Sequence, residues 1–144
     1  MKNKLYQIFA EHYEILLQDI TAAMTNRKRS AVKRCYYVLD TTMELFAEIC
    51  NISVKEAHKV LLDIAFPDEE KENAILELHE SNVDHLFCKF YRTQSNLLGS
   101  DKDSVSIKAA AAACEIVTMF AELRSLSYDE AAKWLNDEKD GVKV

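Results

Sequence analysis

Apolar side chains recur along this chain every three and four residues, the spacing of a helix face rather than the alternation of a strand. Leu5, Ile8, Phe9, His12 or Tyr13, Leu16, Ile20 and Met24 trace one stripe and predict a long amphipathic helix from about Lys2 to Thr25. After the polar turn NRKRS, Ser30 is placed to cap a second helix with Val32, Cys35, Tyr36, Leu39, Met43, Phe46, Ile49 and Cys50 along its inward stripe. Tyr37, Val38 and Leu45 fall outside that stripe and widen the apolar face. Asn51 stands where a left-handed residue would end the helix, and Ile52 can staple onto Ala57. Ser53-Val54-Lys55-Glu56 is a capping box that opens a short third helix with Ala57, Val60, Leu61 and Ile64 facing inward. Phe66-Pro67 closes this first unit.

The pattern then starts again. Pro67 followed by DEEKE puts carboxylates in the first turn of a fourth helix, where the macrodipole favours them, and the helix runs to about Leu98 through Ile75, His79, Val83, Leu86, Phe87, Phe90 and Leu97. The loop LGSDKDS leads to a fifth helix capped by Ser104, and Ser127-Tyr128-Asp129-Glu130 opens a sixth that ends near Asp137 in the charged stretch DEKDGVKV. The stretch from Leu45 to Asp63 returns later in the chain as Met119 to Asp137, with nine of nineteen positions identical. Ser30 and Ser104 stand in the same register. The chain is therefore read as an all-α six-helix bundle built from two tandem long-long-short three-helix repeats about a pseudo-twofold axis. Repeat one covers about 1–66, repeat two about 67–138, and 139–144 form a charged tail. Where the first copy has Cys35, Tyr36, Tyr37, Val38 and Leu39, the second has five alanines, Ala109 to Ala113. Bulk exchanged for smallness lets another helix approach closely, so Ala109, Ala110 and Ala113 are candidates for a packing face or a homodimer contact.

Composition narrows the class without naming an activity. A chain of 144 residues is one domain's worth, and two glycines and one proline leave little material for hairpins or strand-to-helix elbows. No run of eighteen apolar residues occurs and the N-terminus MKNKLYQIFAEHYE is charged, so a soluble, cytoplasmic protein with no membrane partner is expected. Cys35, Cys50, Cys88 and Cys114 lie far apart within helical patterns and read as reduced core thiols.

Enzymatic motifs are missing. With glycine only at 99 and 141 there is no phosphate-binding loop and no nucleophile elbow. No ExxH pair, HExxH or CxxC supports a metal, and no cofactor is expected. Glu77, Glu80, Asp84, His85 and Cys88 share one stretch of the fourth helix, and a metal or catalytic site there ranks third among the readings, below an ordinary solvated helix face.

Charge is the uneven feature. The net charge is −6, yet 1–66 carry nine basic and eight acidic side chains against nine and sixteen in 67–144. Arg27, Lys28, Arg29, Lys33 and Arg34 place five cations in eight positions with no acid among them, and setting them aside leaves the rest of the chain at −11. Crowded like charges repel, so this corner would be stabilised by an anionic partner, although charges satisfied by solvent or by the chain's own carboxylates need none. An acidic protein surface and phosphate are the two candidate ligands.

The run Ala47-Glu48-Ile49-Cys50-Asn51-Ile52-Ser53, followed by Ala57 and Val60, resembles the helix-turn-helix of DNA-binding repressors over about 20 residues. That resemblance implies a reading helix with Ser53, Lys55, His58 and Lys59 as exposed contacts and the 27–34 cluster on phosphate. Against it, the preceding helix is longer than such motifs need, the reading helix has no Arg or Gln, and the second copy offers Asp129, Glu130, Asn136 and Asp137. The leading expectation is a non-enzymatic regulator, inhibitor or adaptor, of the kind a mobile element carries, that binds another protein, with a DNA-binding regulator as the alternative.

Overall fold

A computed structural model describes residues 2–66 and 80–141. Among the described residues the chain is all helix: α1 (Lys2–Thr25), α2 (Arg29–Cys50), α3 (Val54–Ala65), α4 (Glu80–Leu97), α5 (Asp103–Arg124) and α6 (Tyr128–Gly141). The expected Pro67 start of the fourth helix, and with it Ile75, Glu77 and His79, lies outside the described residues. α6 continues to Gly141 instead of ending near Asp137, because Glu138-Lys139-Asp140 are tolerated in a helix and no proline follows as Pro67 does in the first unit.

Both halves end their helices alike. Asn51 and Ser125 take left-handed backbone (φ 54° and 56°), and the next residues, Ile52 and Leu126, donate their N–H to Ala47 and Ala121 carbonyls at 3.0 and 2.9 Å. Ser53 and Ser127 then accept from the N–H of Glu56 and Glu130, each at 3.1 Å. α2 and α5 begin and end at matching positions of the duplicated sequence, and α3 and α6 begin at matching ones. The two serines expected to cap α2 and α5 do not: the caps are Lys28 and Lys102, neither with a capping side-chain bond. Arg27 is left-handed (φ 55°) and Lys28 N–H bonds the Ala23 carbonyl at 2.9 Å, so the chain passes from α1 to α2 through Asn26, Arg27 and Lys28 alone, which puts Ser30 inside the helix.

α5 is central, with α1, α2, α4 and α6 all packed on it. By length and apolarity alone it would suffice to cross a membrane; here Ala109, Ala112, Ala113, Ile116, Val117, Met119 and Phe120 are buried within the chain. α2 is surrounded as well, by α1, α3, α4 and α5, so more than one stripe is buried. Val38 and Leu45 lie in the core, whereas Tyr36, expected inward, is 45% exposed. Four phenylalanines run through the centre: Phe46 to Phe9 at 5.0 Å, Phe9 to Phe87 at 6.1 Å and Phe87 to Phe120 at 5.4 Å. Phe46 and Phe120 are equivalent in the repeat, and in that register the counterpart of Phe9 is Val83. The ring that stands in the row is Phe87, one helical turn further along α4.

Polar ties join helices of different halves. His12 of α1 is 8% exposed, with Nδ1 2.5 Å from Glu115 and Nε2 3.1 Å from Glu122 of α5. Burial alone would lower its pKa, but the two carboxylates outweigh that and hold the imidazolium form, raising the pKa above the usual 6.5. Lys89 of α4 reaches Glu48 of α2 at 3.3 Å, and the Tyr37 hydroxyl donates to buried Gln94 at 2.7 Å. Arg124 Nε donates to Asp84 at 2.8 Å; Cys50, which stands at Arg124's position in the repeated stretch, bonds Tyr6, and burial pushes that thiol up to about 11. The Lys89–Glu48 and Gln94–Tyr37 contacts set α4 antiparallel to α2, so the α1–α2 and α4–α5 turns share one end of the molecule.

Candidate functional site

The basic corner is the turn between α1 and α2. Arg27 occupies the left-handed position, Lys28 caps α2, Arg29 opens it, and Lys33 and Arg34 follow within two turns. All five are exposed, and among the described residues none lies within salt-bridge distance of a carboxylate. The first buried residue of α2 is Val38, so the two turns that carry the cations stand clear of the core. Lys28 follows the negative end of the α1 dipole, which favours it, whereas Lys33 and Arg34 sit near the positive end of α2, which does not.

Between the cations is an apolar floor. Met24, Val32, Arg27, Arg29 and Lys33 line an open, mostly apolar pocket of about 390 Å³. Met24, expected on the inward stripe of α1, is 58% exposed, because Ala23 turns inward and Met24 lies a turn beyond Ile20, the last large buried residue of the helix. A turn beyond Val32 on α2, the Cys35 thiol is half buried and its pKa is raised, first by that burial and then by Asp19, with Arg34 opposing. The arrangement has concentrated positive charge and an apolar socket; it offers no nucleophile paired with a base.

No protein-family model, curated protein or solved structure matches the chain.

The α2–α3 corner is built differently from a free reading face. Ser53 spends its hydroxyl on the helix cap, accepting from Glu56 N–H and donating to Glu56 Oε1 at 3.1 Å. His58 is half buried, with Nδ1 3.4 Å from the Tyr13 hydroxyl and its ring edge-on to Tyr13 at 5.8 Å. Lys55 and Lys59 are exposed. The corner is separated from the basic turn by all 22 residues of α2, roughly 33 Å along the axis.

Of the alanines, Ala109 and Ala113 are enclosed within the chain, and only Ala110 of the three is exposed. The fourth-helix group does not converge: Asp84 pairs with Arg124, Cys88 is in the core and His85 is exposed, while Glu77 and the side chain of Glu80 lie outside the described residues. Among the described residues no three His, Cys, Asp or Glu side chains are grouped to hold a metal. Cys50 and Cys88 are core thiols as expected, but Cys35 is half buried and Cys114 is exposed beside the Tyr128 hydroxyl at 3.4 Å. That contact, chiefly, pushes Tyr128 up to about 12.

The sequence did not reveal the socket or the His12 clamp. Met24 continues the three-and-four spacing of α1, and only the end of the core shows that it has nothing to pack on. His12 and Glu115 are 103 residues apart, with no local pattern linking them.

Proposed function

We propose that the protein is a non-enzymatic, cytoplasmic interaction protein, a regulator, inhibitor or adaptor, that binds a macromolecular partner through the α1–α2 turn. The observation that carries this reading is the set of five exposed cations without a carboxylate at salt-bridge distance among the described residues, in a chain of net charge −6. Folding leaves that cluster's mutual repulsion unrelieved, and an anionic partner relieves it. The four free cysteines suit a reducing compartment.

The two units in this reading are related by a pseudo-twofold axis that passes between Phe9 and Phe87. Exchanging α1 with α4, α2 with α5 and α3 with α6 returns the same set of packed helix pairs, which supports it. Each unit then braces the other, and the binding turn is one of two equivalent turns that have diverged.

The test is a charge reversal at Arg27→Glu, Lys28→Glu and Arg29→Glu. All three side chains are exposed, so the variant keeps its helical spectrum and melting profile. Its partners, captured from native extract by tagged protein and compared with wild type, should be lost; an unchanged set of partners refutes the reading.

A further inference from the structure

The basic turn is more than a charged patch, because its cations ring an apolar socket. Phosphate ligands are recognised by charge and hydrogen bonding, and a nucleic-acid backbone laid across Arg27, Arg29 and Lys33 would leave Met24 and Val32 without a complement. Met24 keeps 58% of its surface in water in the unbound protein, a cost that an apolar side chain entering the pocket would remove. A carboxylate-rich protein segment supplies both parts, since its acids can pair with guanidinium forks while one large side chain fills the socket.

We propose that the α1–α2 turn binds an acidic protein segment that inserts a single large apolar side chain between Met24 and Val32, with its flanking carboxylates on Arg27, Arg29 and Lys33. The occupant is identified by charge complementarity and by the apolar pair Met24 and Val32 in a pocket whose volume of about 390 Å³ admits one large side chain with room for the segment that carries it. Lys28 and Arg34, outside the lining of the pocket, add to the field that draws the acidic segment in. Arg27 is positioned for this by its left-handed backbone, which turns the chain at the pocket's rim.

This deepens the function proposed above and rests on it, so the experiment separates the two. The full-length protein is titrated by fluorescence anisotropy against three labelled probes: an acidic hexapeptide of Glu and Asp with one central Phe, the same peptide with Ala for Phe, and a single-stranded oligonucleotide of equal charge. The Phe peptide is expected to bind about tenfold tighter than the Ala peptide, the fold-change for burying one anchor. Met24→Ser with Val32→Asn should bring the Phe peptide down to the Ala peptide, and Arg29→Glu with Lys33→Glu should abolish binding of both. Equal affinity of the two peptides, or tighter binding of the oligonucleotide, overturns the assignment of an apolar anchor while leaving a charge-dependent binding turn. Failure of every probe to bind overturns the peptide assignment too; the basic turn itself falls only if the charge reversal also leaves the partners captured from extract unchanged.

Discussion

His12 is the side chain whose perturbation reports most directly on how the halves are joined. It is 8% exposed and lies between Glu115 and Glu122, which keep 23% and 42% of their side-chain surface. Replacing it with Gln preserves bulk and one hydrogen bond but removes the charge. Removing one member of a fully buried charge pair costs about 3–5 kcal/mol, and the partial exposure of both carboxylates reduces that to about 2 kcal/mol here. The pH dependence has a definite sign. The folded-state pKa of His12 is raised above its unfolded value near 6.5, so folding favours the protonated ring. The contribution is complete below about pH 6 and is lost as pH rises through the folded pKa. Urea unfolding of wild type and His12→Gln between about pH 5.5 and 9, above the range where carboxylates titrate in unfolded chains, gives the difference directly. The gap should be widest at the acid end and shrink toward the alkaline end. A gap that stays constant across that range would show that the ring is not held charged, and the account of the clamp would fail.

Other positions test the local chemistry. Ser53→Ala and Ser127→Ala should each lower stability by about 1 kcal/mol in chemical denaturation, and the double variant should show their sum, because the caps sit on separate corners. Ser125→Gly should raise stability by about 0.5–1 kcal/mol by relieving the left-handed backbone, more than Asn51→Gly does, since Asn tolerates that region better than Ser; a loss of stability at Ser125→Gly would contradict the strain argument.

What the sequence makes legible is what depends on neighbours in the chain. Asn51, Ser53 and Glu56 sit within one turn of the groups they cap, so the α2–α3 corner can be read from spacing, and its repetition at Ser125, Ser127 and Glu130 follows. Facing is harder where a helix is surrounded. The stripe takes in Tyr36 and leaves out Val38, yet with α1, α3, α4 and α5 all packed on α2 it is Val38 that is enclosed and Tyr36 that is not. The basic half of the site was legible because charge needs no partner in the chain to be noticed. Its apolar half was not, because Met24 acquires meaning from being one turn past the end of the core.

The polar ties refine where divergence between the halves matters. Glu48 and Glu122 are equivalent positions, and each accepts from the first helix of the other half, through Lys89 in one case and His12 in the other. Arg124 and Cys50, which also match in the repeated stretch, each bond the preceding long helix by different chemistry, through Asp84 of α4 and Tyr6 of α1. Divergence at those places leaves the contact intact, which is what selection for stability alone would permit. At the turns the difference has no such compensation. α1 continues beyond Phe9 as far as Thr25 and reaches α2 through Asn26 to Lys28, whereas α4 ends at Leu97, fewer residues beyond Phe87, and is followed by the longer turn from Leu98 to Lys102. The shorter crossing turns at left-handed Arg27, which closes α1 as Asn51 closes α2, and it carries five exposed cations with no described carboxylate at salt-bridge distance beside the pocket of Met24 and Val32. Unrelieved charge beside an open apolar pocket is better explained by a ligand, and that is why the proposed binding site lies at the α1–α2 turn and not at the repeated corner.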